Sequence, residues 1–324
     1  MSILPAPNDA QSSNAAGWAA IAMLALVVAA LEMVAPLPIA VGSMIKLVIA
    51  CGTLGAVAVW YETVRPHPQF SHMCVALTQV LLFSAVGIVF SYLVARTQAP
   101  LWDSRLMAWD QALGFDWMRY LHFVDSSRAL TATFHLAYGS LIPQIVVLIC
   151  ALGFAQKVAA LRRVMLAAIL CGSLCILVSA FFPAISYPAY LGVGAADFKH
   201  VNPWGGHAHM ADLRALRDGT MTQLDLTAME GIITFPSYHA GLSSVTMWGF
   251  WLTGRRWLQV PGIVLASLTI LATPVDGGHY LVDVLAGIAI ALISIWVARR
   301  AIYWRPAWPV TALPFRRSRE ASAQ

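Results

Sequence analysis

The chain has 324 residues, 59% of them hydrophobic and only 11% Asp, Glu, Lys or Arg, with a formal net charge of +5. Soluble domains carry about 25% charged residues, so this composition excludes a soluble globular protein. It also shows no basic run interleaved with aromatics, which argues against nucleic acid as a partner. The five cysteines (Cys51, Cys74, Cys150, Cys171 and Cys175) all sit in apolar stretches, without zinc spacing or a disulfide framework.

Residues 1–16 read as a disordered polar tail. Lys46 is the first basic residue, so the positive segment of a cleaved signal peptide is missing. Apolar stretches follow at 18–35, 43–60, 73–95, 130–154, 164–182, 238–252, 260–272 and 279–297. About 20 apolar residues cross a bilayer core, and an unpaired backbone amide in lipid costs several kcal/mol. Each stretch is therefore predicted to be a helix, and no period-two alternation suggests a β-barrel. The expected fold is all-α, a polytopic transmembrane bundle of about eight spans. The first two, within 17–72, read as an addition to a six-helix core at 73–303, and 304–324 as a basic cytoplasmic tail.

Arg65, Lys157, Arg162, Arg163, Arg255, Arg256, Arg299 and Arg300 fall on one face of an eight-span chain. The positive-inside rule makes that face cytoplasmic, together with both termini. Two connections on the opposite face are unusual. Between Pro100 and Phe123, apolar residues recur at helical spacing (Trp102, Leu106, Trp109, Leu113, Trp117, Tyr120), with Asp103, Arg105, Asp110 and Gln111 on the other side. This predicts an interfacial amphipathic segment broken at Gly114. The second connection, 183–235, is too long for a passive link and holds His200, His207 and His209, which read as plain loop histidines.

Two short stretches carry chemistry. Phe235-Pro236-Ser237-Tyr238-His239-Ala240-Gly241 opens a span. Pro suits a first helical turn, Thr234 or Ser237 can cap it, and a helix N-terminus attracts phosphate. Further on, His279 and Asp283 lie four residues apart on one helix face. Asp283 can hold one imidazole nitrogen and so set the tautomer of the other. An ionisable group inside an apolar run points to function. The span count puts His239 and His279 at the same membrane surface. A helix-stabilising His–Asp pair and a zinc site are the competing readings of His279 with Asp283.

Pro236-Ser237-Tyr238-His239 and the His-x-x-x-Asp of His279 and Asp283 resemble the second and third motifs of the type 2 phosphatidic acid phosphatase superfamily. The phosphatase branch has Gly where this chain has Tyr238, and Ser-Arg where it has Ala272-Thr273. The family's first motif, a Lys followed by Arg-Pro, is absent from its expected place; Arg65-Pro66 lies on the wrong face. In these respects the chain is similar to inositol phosphorylceramide synthases and sphingomyelin synthases.

The resemblance implies a six-helix lipid phosphatase or phosphotransferase core and a phosphohistidine mechanism. His279 would be the nucleophile, Asp283 its orienting carboxylate and His239 the general acid and base. Ser237, Tyr238, Arg96 and Arg105 are candidates for binding the phosphate, with Lys199, Arg214 and Arg217 on the same face. It implies no metal and no cofactor, membrane lipids as the substrates and no obligate protein partner. The active site would lie on the periplasmic or outer face of the inner (plasma) membrane. Water as acceptor would give a lipid phosphate phosphatase. A lipid transporter or scramblase using Glu32, Lys46 and Asp283 is the rival of another class.

Overall fold

The computed structural model describes residues 13–301. Helices α1 (Ala15–Val34), α2 (Val41–Thr63) and α3 (Pro68–Ala95) are followed by two short ones, α4 (Asp103–Ala112) and α5 (Trp117–Asp125). Then come α6 (Arg128–Gly139), α7 (Leu141–Phe154) and α8 (Val158–Ser179). The long loop holds α9 (Tyr187–Leu191), α10 (Gly205–Ala208) and α11 (Met210–Arg217), and the chain ends in α12 (Tyr238–Leu252), α13 (Arg256–Asp276) and α14 (Leu281–Ala301). Among the described residues there is no strand, and the fold is the all-α polytopic bundle expected from the sequence.

All eight apolar stretches fall on helices, but among the described residues α1, α2, α3, α8, α13 and α14 alone are long and apolar enough to cross a membrane by themselves. The pair α6–α7 makes a seventh span if taken together; it is bent by 55°. Pro143 stands four residues after Gly139 and has no N–H for its carbonyl, so the helix breaks there. With 15 residues, α12 is about 22 Å long at 1.5 Å per residue. The first twelve residues of the expected polar tail, and the whole basic tail, lie outside the described residues. The last two residues of that polar tail are helical, since α1 already begins at Ala15, whose N–H is accepted by Ser13 Oγ at 3.0 Å.

The core centres on α8, which packs against α1, α3, α7, α12 and α14. Leu148, Ile149, Leu152, Ala167, Cys171 and Val245 are buried there. By contrast α2 packs on α3 and leaves Ile45, Val48, Ile49 and Trp60 exposed, as a lipid-facing helix does. Lys157 Nζ donates to the carbonyls of Leu252 and Thr253, which puts the α7–α8 and α12–α13 connections at one end of the bundle.

The interfacial segment forms as two helices separated at Gly114, whose φ of +76° suits glycine. Its inner face differs from the expected one. Trp109 and Leu113 are exposed, whereas Asp103 and Asp110 are buried beside Leu106 and Trp117. The reason is polar rather than apolar. Asp103 accepts the backbone N–H groups of Ile185 and Ser186, and Asp110 those of Leu281 and Val282. Asp125 in turn accepts from Lys199, His200 and Val201. Three carboxylates of α4–α5 thus hold the long loop and the start of α14. The same loop is tied to the α1–α2 connection, where Ala40 N–H donates to Leu224 and Leu224 N–H donates to Pro38.

Candidate active site

The site is built where α12 and α14 cross. Ser237 is the N-cap of α12, with its Oγ accepting from Ala240 N–H, while its own N–H donates to the Asp283 carbonyl at 3.0 Å. Such contact between backbones needs glycine. A Cβ on Gly287 would lie 2.1 Å from the Ser237 carbonyl oxygen, and one on Gly241 would lie 2.7 Å from Cys171 Sγ and 3.0 Å from the Gly287 carbonyl oxygen. These two glycines bring the first turn of α12, with His239, against the start of α14.

His279 lies in the turn between α13 and α14 and is 5% exposed. Gly278 precedes it with φ +66°, and a Cβ there would meet Gly206 Cα at 2.8 Å, so the long loop packs onto this turn. The Tyr187 N–H donates to the Gly278 carbonyl from the same side. His279 Nδ1 lies 2.8 Å from the Thr234 carbonyl and 3.3 Å from Asp283 Oδ2. A carbonyl only accepts, so Nδ1 carries the proton and Nε2 keeps its lone pair. Burial pushes the imidazole down to about 3, with His239 adding to the shift, so the ring is neutral near pH 7.

Asp283 is fully buried, and its Oδ2 also accepts from Tyr280 N–H at 2.9 Å. The Tyr280 hydroxyl donates to Asp103 Oδ1 at 2.8 Å, which links the turn to α4. The His239 ring stacks on Tyr138, with centroids 4.5 Å apart and planes inclined by 15°.

His239 and His279 line one cavity of about 410 Å³, a volume that suits a small-molecule site. Tyr138, Thr234, Tyr238 and His209 share its wall, and Phe83, Ile88 and Ile176 supply apolar surface. Tyr238 turns its hydroxyl to the Ala168 carbonyl, so its ring serves as wall. Ser237 is fully buried and is not part of the cavity wall; it serves as a cap.

Arg96 and Arg105 are not brought to the site. Arg96 ends α3 and donates to the Ala35 and Pro36 carbonyls. Arg105 lies over the Trp102 ring at 4.3 Å, away from the buried Asp103–Asp110 face of α4. Arg217 donates to the Ala99 carbonyl, and neither Lys199 nor Arg214 lines the cavity. Among the described residues no group of three or more His, Cys, Asp or Glu is arranged to hold a metal ion. The zinc reading of His279 with Asp283 therefore gains no further ligand.

Residues 104–297 match the PAP2 superfamily. The chain belongs to that superfamily. No curated protein and no solved structure matches it. The matched stretch runs from within α4 to within α14 and includes both motifs and the long loop. Membership makes this a multi-pass membrane protein of the phosphatase or phosphotransferase type that acts on lipid phosphates.

Several residues of this PAP2 site are not visible in its motifs. Thr234 contributes only a backbone carbonyl, which no side-chain pattern reveals. Tyr138 and His209 reach the cavity from elements far from the motifs in sequence. Asp103 and Asp110 are visible as charges in an apolar helix, a signal that marks function or structure without saying which. Burial pushes both carboxyls up, while the backbone N–H groups they accept pull them down. Asp110→Ala removes two charge-assisted hydrogen bonds, each worth about 1.5–3 kcal/mol. We expect a clearly lower thermal midpoint in detergent than for Asp110→Asn, which keeps one acceptor oxygen. Equal midpoints for Asp110→Ala and the parent protein would show that α4 is held by something else.

Proposed function

We propose that the chain is a lipid phosphotransferase that works through a phosphohistidine on His279, closest in character to inositolphosphotransferases of the inositol phosphorylceramide synthase kind. One observation carries this reading: Nδ1 of His279 is committed to Thr234 and Asp283, and the ring borders the same cavity as His239. In the first step, His279 Nε2 forms a bond to phosphorus as the bond to the leaving oxygen breaks, and His239 gives that oxygen a proton. In the second, an acceptor hydroxyl gives its proton to His239 and forms a new phosphorus–oxygen bond as the N–P bond breaks. Asp283 favours the imidazolium-like charge on His279 during transfer. Tyr238 and His239 bring the positive end of α12 to the cavity wall, where phosphate charge develops. Neither step draws on a cofactor.

The departures at Tyr238 and Ala272-Thr273 favour a hydroxyl acceptor over water. The placement of Lys and Arg at the other end of the bundle favours a site on the outer face of the plasma membrane. The decisive experiment incubates the purified protein with labelled phosphatidylinositol and a lipid alcohol, and separately with labelled phosphatidic acid. A new phosphodiester lipid is expected from the first. Free phosphate from the second, without transfer in the first, would instead make the protein a phosphatase. Quenching in alkaline detergent should trap label on His279 that survives base and is released by acid, and its absence in both reactions would end the phosphohistidine proposal.

The neutral His279 also predicts a pH dependence of stability. Its folded value lies below the ordinary 6.5, so the unfolded chain binds more protons between about pH 3 and 6.5, and stability falls as pH drops through that window. Buried His209 is shifted the same way. The thermal midpoint in detergent should decline from pH 7.5 to 4.5, and less steeply in His279→Ala. Parallel curves for the two proteins would contradict this.

A further inference from the structure

Phosphoryl transfer builds negative charge on oxygens that need donors, and this cavity offers no fixed cation to hold them. Among the described residues no Lys or Arg lines it, and Arg96 and Arg105 are engaged elsewhere. The start of α12 faces the cavity through Tyr238 and His239, but Tyr238 points its hydroxyl away, at the Ala168 carbonyl. One hydroxyl of the wall has no part in the chemistry so far, that of Tyr138. A tyrosine hydroxyl in a protein interior usually has a partner, yet none of the hydrogen bonds among the described residues uses this one. Asp276 acts on Tyr138 through its charge but pairs with His135 at 3.0 Å, not with the hydroxyl.

Tyr138 sits in the last turn of α6, and its ring is held by the stack on His239. Gly277 locates its hydroxyl, because the absent side chain leaves a gap between two groups. A Cβ at Gly277 would stand 2.7 Å from Tyr138 Oη and 2.7 Å from His279 Cδ2. The hydroxyl therefore lies within twice that distance of Cδ2, the carbon bonded to the Nε2 nucleophile. Nδ1, on the opposite edge of the ring, is turned to Thr234 and Asp283. An O–H···O bond spans about 2.7 Å, so an oxygen of a phosphoryl group on Nε2 can reach Oη across the gap that glycine keeps clear.

We propose that the Tyr138 hydroxyl is a catalytic hydrogen-bond donor. It holds a non-bridging phosphoryl oxygen while the bond from His279 Nε2 to phosphorus forms, and again while the acceptor hydroxyl displaces that bond. The hydroxyl keeps its proton throughout, so proton transfer stays with His239. The inference rests on the proposed phosphoryl site at His239 and His279, and it adds a neutral donor where the cations of the first motif are missing.

The test compares the full-length parent with Tyr138→Phe and Tyr138→Leu, all purified in detergent. Phenylalanine keeps the ring and its stack on His239 and removes the hydroxyl alone, whereas leucine removes both. Each protein is mixed with phosphatidylinositol, and separately with phosphatidic acid, labelled at phosphorus. The rate at which label appears on His279 is followed by quenching in alkaline detergent. Labelling should slow by about 10²–10³-fold in Tyr138→Phe, the usual loss when one such donor is removed. Its thermal midpoint should equal that of the parent, because the hydroxyl bonds nothing in the fold. Labelling of Tyr138→Phe within threefold of the parent would overturn the role of the hydroxyl. A loss confined to Tyr138→Leu would overturn it as well, since the stack on His239 would then be all that matters. Both outcomes leave the phosphohistidine of the parent standing, whereas absence of label from the parent would overturn the mechanism and the donor together.

Discussion

His279→Ala should lower kcat by about 10⁵-fold or more, the scale on which removal of a covalent nucleophile acts, while the protein still inserts and folds. His239→Ala should cost about 10²–10⁴-fold, the usual range for a general acid and base. The double variant should be no slower than His279→Ala alone, because the second histidine has nothing to protonate once the covalent step is gone. Asp283→Asn should do less harm than His279→Ala. The Thr234 carbonyl still holds Nδ1 at 2.8 Å and keeps the tautomer, so what is lost is charge stabilisation. The measurement is initial-rate kinetics on the lipid substrate, with thermal unfolding of each variant as the control for folding. A His279→Ala protein that retains more than a tenth of its activity would remove the nucleophile from the mechanism.

Gly287→Val should damage both stability and turnover although it touches neither histidine. The added Cβ would sit 2.1 Å from the Ser237 carbonyl oxygen, and both partners are backbone, so no rotamer change relieves the contact. Either α12 or α14 must move. Overpacking of this kind costs about 1–3 kcal/mol, and the Ser237–Asp283 backbone bond adds about 1 kcal/mol when it breaks. A displacement of about 1 Å between His239 and His279 reduces turnover by about 10²-fold. Gly52→Ala is the matched control. Gly52 lies on α2 with open space around the added methyl group, and alanine in a helix is favoured over glycine by about 0.5–1 kcal/mol. Thermal midpoint and kcat, read together, distinguish the outcomes. If Gly287→Val behaves like Gly52→Ala, the close crossing of α12 and α14 does not set the site geometry.

The class of this protein was legible in its amino acids because a bilayer imposes a simple rule. Backbone groups in lipid must pair within one segment, so each long apolar run becomes a helix, and all eight runs do. The motif residues were legible for a related reason. His279 and Asp283 are four apart on one chain segment, and Pro236-Ser237 must open a helix wherever it packs, so their local geometry needs no partner.

What the tertiary structure alone decided is everything that depends on which surfaces meet. Sequence spacing turned Asp103 and Asp110 toward solvent, because it counts apolar residues and cannot see the unpaired N–H groups at 185–186 and 281–282 that draw carboxylates inward. It offered Arg96 and Arg105 to the phosphate from their membrane face alone, whereas packing bound one to the α1–α2 connection and laid the other on Trp102. Tyr138 and His209 enter the cavity through folding of chain segments remote from both motifs, and the Thr234 carbonyl beside one motif meets His279 of the other across 45 residues. Local residue patterns determine helices and short-range pairs, whereas the wall of a cavity is set by long-range contacts that no single segment encodes.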